Sequence, residues 1–389
     1  MTQFVSESVK YIGCNDKDID LFESQYVVPN GIAYNSYVIL DDKVAIVDTV
    51  DKRKHEEWLV NLDKALEGRK PDYLIIHHME LDHAGSVVDC INKYPDITLV
   101  GNAKTFVYLT QFTGIDSFTN KVVVKEGNKL KLGKHELTFI MAPMVHWPEV
   151  MVSYDSYDKI LFSADGFGKF GSLDIDEEWT GEARRYYFNI VGKYGASVQT
   201  LLKKAAALDI NIICPTHGPV LSDNLAYYIG LYNTWSSYTP EEKGVLVAYA
   251  SIHGNTAVAA KKFAEILAQK GEKTVVVKDL SRDDMSGVVE DAFHYDRVVL
   301  AAASYDGGVF PCMDDFLHHL KSKAYQKRTV GIIENGTWAP CAAKAMKEVL
   351  EKLKDINILE PIVTIKSALK EENMDDMNKL ADAVVNYNK

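Results

Sequence analysis

The sequence has no pair of cysteines at Cys-x-x-Cys spacing. Its five cysteines, Cys14, Cys90, Cys214, Cys312 and Cys341, are scattered along 389 residues, which argues against a disulfide framework and a four-cysteine metal site. Any metal must then rely on histidine and carboxylate. No apolar stretch approaches the ~18 residues needed to cross a bilayer, and the opening MTQFVSESVKYIG lacks the basic-then-apolar order of a secretory signal. The expected location is the cytoplasm. Positive charge is in deficit: 43 Lys and Arg against 55 Asp and Glu leave a formal charge of −12. Such a surface repels phosphate backbones and anionic lipid, so neither nucleic acid nor membrane is an expected partner. Repeats and low-complexity tracts are absent as well. What remains is a globular composition, 47% hydrophobic and 25% charged, long enough for two or three domains.

The polar run WSSYTPEEK, Trp235 to Lys243, follows a helix-like stretch and precedes the apolar GVLVAYAS. It places a boundary between domains at 1–243 and 244–389. Upstream, alternating apolar segments recur: YNSYVIL, KVAIVDTV, DYLIIHH, ITLVGN, LTFIMAP, KILFSAD and NIICPTHG. These read as strands ending in short polar loops. Helix-like stretches near His55 to Glu67 and Ala196 to Leu208 make this part mixed α and β. Downstream, strands alternate with helical patterns, beginning VLVAYAS, TAVAAKKFAEILAQKG, KTVVVKDL. That order indicates crossover units and a parallel sheet covered on both faces.

Residues Tyr73 to Ser86 read YLIIHHMELDHAGS, with His78, Glu80, Asp82 and His83 inside six residues. The spacing does not line one helical face. It suits an apolar strand running into a loop that closes at Gly85 and folds the side chains around a point; an exposed, charge-rich loop is the other reading. Three later segments each put one ligand-type residue just after a strand, at His146, Asp165 and His217. Singly, each is weak, because a lone residue of this kind after a strand is more often a hydrogen-bonded structural residue than a ligand. Together they make four histidines and three carboxylates at strand ends, where a sheet's loops gather on one edge. That set is too large for one tetrahedral ion and suits two. His77 reads as a strand-end or supporting residue, and His55, His135, His294, His318 and His319 as surface residues.

After the strand Val245 to Tyr249 come Ser251, Ile252, His253, Gly254, Asn255 and Thr256, at the start of a helix. Small, hydroxyl-bearing and glycine residues there surround a phosphate with backbone amides and hydroxyls at the favourable end of the helix dipole. An ordinary helix cap uses the same residues. The loop lacks the Gly-Lys-Ser/Thr ending of a nucleotide triphosphatase and the G-x-G-x-x-G of a dinucleotide fold, which favours a mononucleotide. Two further loops follow strands: SYDGGVF at Ser304 to Phe310 and ENGTW at Glu334 to Trp338.

The His-x-Glu-x-Asp-His run with its three later partners resembles the flavodiiron proteins, or A-type flavoproteins, of the metallo-β-lactamase-like superfamily. Hydrolases of that superfamily usually show His-x-His-x-Asp-His; here Glu80 stands at the second histidine. The pattern Ser-x-x-Gly-x-Thr from Ser251 to Thr256 resembles the FMN phosphate loop of flavodoxins, over residues 244–389. The resemblance implies an N-terminal metallo-β-lactamase-like αββα sandwich followed by a C-terminal flavodoxin-like doubly wound parallel sheet. It assigns His78, Glu80 and His146 to one iron, Asp82, His83 and His217 to the other, and Asp165 as the bridging carboxylate. It implies FMN held by Ser251, His253, Gly254, Asn255 and Thr256 in the first loop and by Ser304, Tyr305, Asp306 and Gly307 in the second. Asn335, Gly336 and Trp338 complete the set in the third loop, which departs from the family's commoner Ser-Tyr-Gly-Trp. Trp338 packs on the ring or shields the loop, and Gly307 with Gly308 permits close backbone approach or forms an ordinary turn.

Three carboxylates against two divalent ions leave a net charge of +1, which one hydroxide neutralises, and hard oxygen donors accommodate a trivalent state. This favours iron over zinc. A flavin takes electrons singly or in pairs and a di-iron centre passes them to a small oxidant. The resemblance accordingly implies reduction of dioxygen to water, of nitric oxide to nitrous oxide, or of both. It also implies a head-to-tail homodimer and a separate electron donor: rubredoxin, a reductase or a reduced deazaflavin. Tyr26, Tyr186 and Tyr187 are candidate proton donors. Two rivals stand beside this reading: a zinc hydrolase with a regulatory flavodoxin-like part, which Glu80 opposes, and a non-enzymatic electron carrier with a structural metal.

Overall fold

Alternation of apolar and polar side chains builds the strands of the first half. The computed structural model, which describes residues 5–115, 118 and 120–387, arranges them in two sheets. In Glu136–Met141 the side chains of Leu137 and Phe139 are fully buried while those of Glu136 and Thr138 are half-buried, the period of two expected of a strand with one face in a core. One sheet runs in the order Val9–Tyr11, Tyr37–Leu40, Val44–Val47, Tyr73–Ile75, Thr98–Gly101 and Lys121–Val123. Its first two pairings are antiparallel and the rest parallel. The other runs Lys129–Lys131, Glu136–Met141, Met151–Asp155, Ile160–Phe162 and Ile212–Cys214. The two sheets share a core that joins Tyr37, Val47, Ile75 and Val100 to Phe139, Met151, Phe162 and Cys214.

The helix His55–Leu66 buries Trp58, Leu62, Ala65 and Leu66, one helical stripe, and packs on Tyr37–Leu40. Its Trp58 Nε1 donates to Ser36 Oγ at 3.0 Å. Within the second sheet, Glu136–Met141, Ile160–Phe162 and Ile212–Cys214 all point the same way, because two successive antiparallel pairings and one parallel pairing separate them. The loops leaving their carboxyl ends therefore gather on one edge.

This unit comprises Met1–Tyr186 and Ala196–Asn233; a second comprises Tyr187–Gly195 and Thr234–Lys389. Tyr187–Gly195 joins the second unit through its aromatic side chains: Phe188 stacks on Phe293 with ring centres 4.2 Å apart, and Asn189 Nδ2 donates to Ser286 O at 3.0 Å. The second unit's sheet is parallel, in the order Val275–Asp279, Glu242–Ala250, Tyr295–Tyr305, Arg328–Asn335 and Ile356–Ile358. In chain order this is 2-1-3-4-5, a doubly wound arrangement. All eight residues of Arg328–Asn335 are buried, as a strand covered on both faces requires. One covering layer is the helix pair Asn255–Gln269 and Met374–Asn386, whose Phe263, Leu267, Leu380 and Val384 pack on Val247, Val299 and Ile333. No helix among the described residues is long and apolar enough to cross a membrane.

Candidate metal centre and flavin pocket

Each histidine and carboxylate singled out above lies just beyond a strand of the first unit. His78 and Glu80 follow Tyr73–Ile75, Asp82 and His83 sit on the short helical turn Leu81–Ala84, and His146, Asp165 and His217 follow the three co-directional strands. Their ligand atoms form two clusters, His78, Glu80, His146 and Asp165 in one, and Asp82, His83 and His217 in the other. Asp165 faces both. Its Oδ2 lies 3.2 Å from the Nε2 of His78 and 3.2 Å from that of His146, while its Oδ1 lies 3.2 Å from His83 Nε2. In the first cluster Glu80 Oε2 is 2.8 Å from His146 Nε2; in the second Asp82 Oδ2 is 3.2 Å from His83 Nε2 and 3.1 Å from His217 Nε2.

A fit to cations follows from the atoms left over. Both ring nitrogens of His78, both oxygens of Asp82 and Oδ2 of Asp165 are buried without a hydrogen-bond partner. Leaving even one such atom unsatisfied costs about 1–3 kcal/mol. Several of them aimed at one point make sense only around positive charge. Without metal, protons stand in: burial pulls the His83 and His146 imidazoles down, but the neighbouring carboxylates outweigh it and lift each to about 10. The donor set also fits iron, since imidazole is one of its common ligands and hard carboxylate oxygens accommodate its trivalent state.

Orienting groups surround the clusters. His217 Nδ1 donates to Ala33 O at 2.8 Å, which leaves Nε2 to face the centre, and Thr216 Oγ1 donates to Asp165 Oδ1 at 2.7 Å. Asn35 Nδ2 ties down the His217 loop by donating to Pro215 O and Gly218 O at 2.8 and 2.7 Å. Three residues beside the ligands, Met144, Ala164 and Phe167, hold left-handed φ values of 67°, 49° and 68°. Such conformations cost about 1–3 kcal/mol each in a non-glycine residue, and they concentrate at functional sites.

His77 plays a supporting part: its Nδ1 donates to Asp48 Oδ2 at 2.6 Å, and Ser153 Oγ donates to its Nε2 at 2.9 Å. His135 departs from the surface position expected of it. It is 1% exposed, with Nδ1 donating to Asp155 Oδ2 at 2.9 Å and Ser8 Oγ 2.7 Å from Nε2. Of the tyrosines, Tyr186 packs against His217 with ring centres 5.3 Å apart, Tyr26 packs on Phe170, and Tyr187 belongs to the second unit beside Trp235. Sequence reasoning missed Glu23. It lies beside Glu80 in the wall of an open pocket of about 410 Å³, where burial and the Glu80 charge push its carboxyl up to about 7. A turn glutamate carries no local signal of such a place.

The second unit holds an open pocket of about 640 Å³ at the carboxyl ends of its strands, a volume typical of small-molecule sites. Every residue expected to touch a flavin lines it except Gly254. Gly254 instead starts the helix Asn255–Gln269 at φ 89°, a left-handed turn that favours glycine, and its N–H donates to Ser251 Oγ at 3.1 Å. Two side chains have other work. Ser304 Oγ accepts from the N–H groups of Cys341 and Ala342, and Asn335 clamps Ser367 by donating to its carbonyl at 2.8 Å and accepting from its N–H at 3.1 Å. Trp338 is 91% exposed. A Cβ on Gly336 would meet Pro340 Cα at 2.8 Å, so only glycine lets the third loop close.

Residues 32–218 match the ODP family beta lactamase profile, and residues 246–379 that of a flavodoxin domain. The chain is 30% identical over 338 residues to a putative diflavin flavoprotein of Synechocystis, covering 84% of this chain and 57% of that one. It is 27% identical over 358 residues to an anaerobic nitric oxide reductase flavorubredoxin of Aliivibrio salmonicida, covering 87% and 70%. Among solved structures, the rubredoxin oxygen:oxidoreductase of Desulfovibrio gigas shares the fold with a TM-score of 0.93 at 23% identity, over 100% of this chain and 98% of that one. The flavodiiron protein of Giardia intestinalis aligns with a TM-score of 0.91 at 25% identity, over 100% and 97%.

Proposed function

The chain belongs to the flavodiiron proteins, and from that premise we propose that it reduces dioxygen to water, nitric oxide to nitrous oxide, or both. The observation that carries the proposal is the pair of ligand clusters sharing Asp165, on a chain that also holds a flavin pocket. His78, Glu80 and His146 would hold one iron and Asp82, His83 and His217 the other, with Asp165, which faces both clusters, shared between them. When bound, FMN delivers electrons singly or in pairs and the iron pair passes them to the gas. Four electrons and four protons convert dioxygen to two waters; two electrons and two protons convert two nitric oxides to nitrous oxide and water.

The chain's own residues do the rest. The three carboxylates offset all but one unit of the charge on two divalent ions, Ala33 O and Thr216 fix the directions of His217 and Asp165, and the pocket beside Glu80 and Asp82 admits the water that supplies protons. The phosphate loop at Ser251 to Thr256 anchors FMN through backbone N–H groups at the start of Asn255–Gln269. The exposed Trp338 beside the flavin pocket supports a head-to-tail homodimer in which one subunit's FMN serves its partner's iron. A separate rubredoxin or reductase supplies the electrons, in the cytoplasm. The name of the Desulfovibrio gigas relative supports this donor.

The test is anaerobic purification followed by metal and flavin analysis, and gas-electrode assays with reduced rubredoxin. Two irons and one FMN per chain with rapid loss of either gas are expected. Two zinc ions with ester or thioester turnover would instead identify the hydrolase, and flavin reoxidation without gas consumption the carrier.

A further inference from the structure

We propose that the cleft between the Asp165 loop and two helices, Gly195–Ala205 (α1) and Leu225–Ser236 (α2), is a dry holding site for small apolar gas molecules that supplies the metal centre. The inference rests on the reductase reading above. The cleft encloses about 260 Å³. Its floor includes Val145, which precedes His146, and Ser163, Gly166 and Phe167, which surround Asp165. It thus backs onto the very loops that present two of the proposed ligands. Val198 and Ala205 of α1 and Ile229 and Tyr232 of α2 form the walls.

The chemistry of the lining decides what enters. Of its polar groups, Ser163 Oγ donates to Gly166 O at 2.6 Å, and the Tyr232 hydroxyl accepts from Phe167 N–H at 2.6 Å. An occupant is therefore offered dispersion contacts and little else. A buried water needs two to four polar partners, and an apolar cavity of about 150 Å³ stays dry while binding xenon or benzene. Dioxygen and nitric oxide demand no hydrogen bonds and suit such a space. Exposure is graded along it, from 36% at Ile229 to 2% at Val198 and 5% at Phe167, so the cleft has a mouth and a floor. The contrast with the pocket beside Glu80 in the same unit is chemical. Glu23, Arg53, Glu80 and Asp82 line that one, which suits water and protons. Gas and protons then reach the ligands from different sides.

Xenon-pressurised crystals of the iron- and FMN-loaded protein provide the test, beside wild type, Ala205→Phe, which fills the cleft, and Ile229→Trp, which narrows its mouth without disturbing the core. Xenon should occupy the cleft in wild type and vanish in Ala205→Phe. Both variants should raise the KM for the consumed gas several-fold while kcat at saturating gas, iron content and FMN content stay at wild-type values. Absence of xenon from the wild-type cleft overturns the site. Xenon displacement with unchanged KM in both variants overturns the supply role. A fully loaded wild-type protein that consumes neither gas refutes the reductase reading, and does so without altering the xenon result.

Discussion

Thr216 gives the most direct test of the shared carboxylate. Its hydroxyl donates to Asp165 Oδ1 at 2.7 Å, and both residues are buried. Thr216→Val keeps the shape and deletes one hydrogen bond to a charged acceptor, worth about 1.5–3 kcal/mol. At ~1.4 kcal/mol per decade that becomes roughly a 10- to 100-fold loss of metal affinity, the range typical of groups that orient metal ligands. The loss should be lopsided. Thr216 acts on Oδ1, which faces His83, whereas Oδ2 faces His78 and His146. The iron shared by Asp82, His83 and His217 should therefore be stripped first. Titrating the anaerobically loaded protein with a coloured ferrous chelator, while following flavin absorbance, reads two steps of iron release. In the variant the first step should move to lower chelator concentration and the second stay near its wild-type position, with Thr216→Ser restoring both. Release of both irons at wild-type chelator concentrations, or an equal shift of both, would falsify the reasoning.

Asp165→Ala removes the carboxylate that, alone among those of the described residues, faces both clusters, so the purified protein should lose both irons and all turnover yet keep FMN; iron retained at wild-type stoichiometry would contradict the bridge. Gly336→Ala pushes a methyl group to 2.8 Å from Pro340 Cα, and overpacking of about 1–3 kcal/mol should weaken FMN binding by roughly fivefold to 100-fold, measured by flavin fluorescence, with iron unchanged. For His135, burial lowers the imidazole but the Asp155 carboxylate outweighs it and holds it above its ordinary value. A raised value in the folded state means stability fully present below about pH 6.5 and lost as pH climbs through the folded value. His135→Phe should accordingly cost more in urea unfolding at about pH 5.5 than at about pH 9, and equal costs at both would dismiss the charged pair.

The parts of this molecule that were legible in the sequence share a physical cause. His146, Asp165 and His217 each follow an apolar alternation that makes a strand on its own terms, and three strands pointing the same way deliver their tails to one edge. Local pattern and position therefore coincide. The supporting shell has no such signature. Asn35, Asp48 and Glu23 act through partners more than twenty residues away in sequence, and nothing near them announces it. His135 misleads for a related reason: in KLGKHEL it stands among charged residues, and only folding buries it between Ser8 and Asp155. Tyr187–Gly195 shows the same limit at domain level, since an aromatic segment reads alike whichever core receives it.

None of the seven metal-facing side chains belongs to the apolar core that joins the two sheets. Oil-like packing rather than iron therefore drives this half of the molecule to its final shape. The metal-free chain is accordingly expected to be folded already and to take up iron without refolding, which circular dichroism before and after iron loading checks.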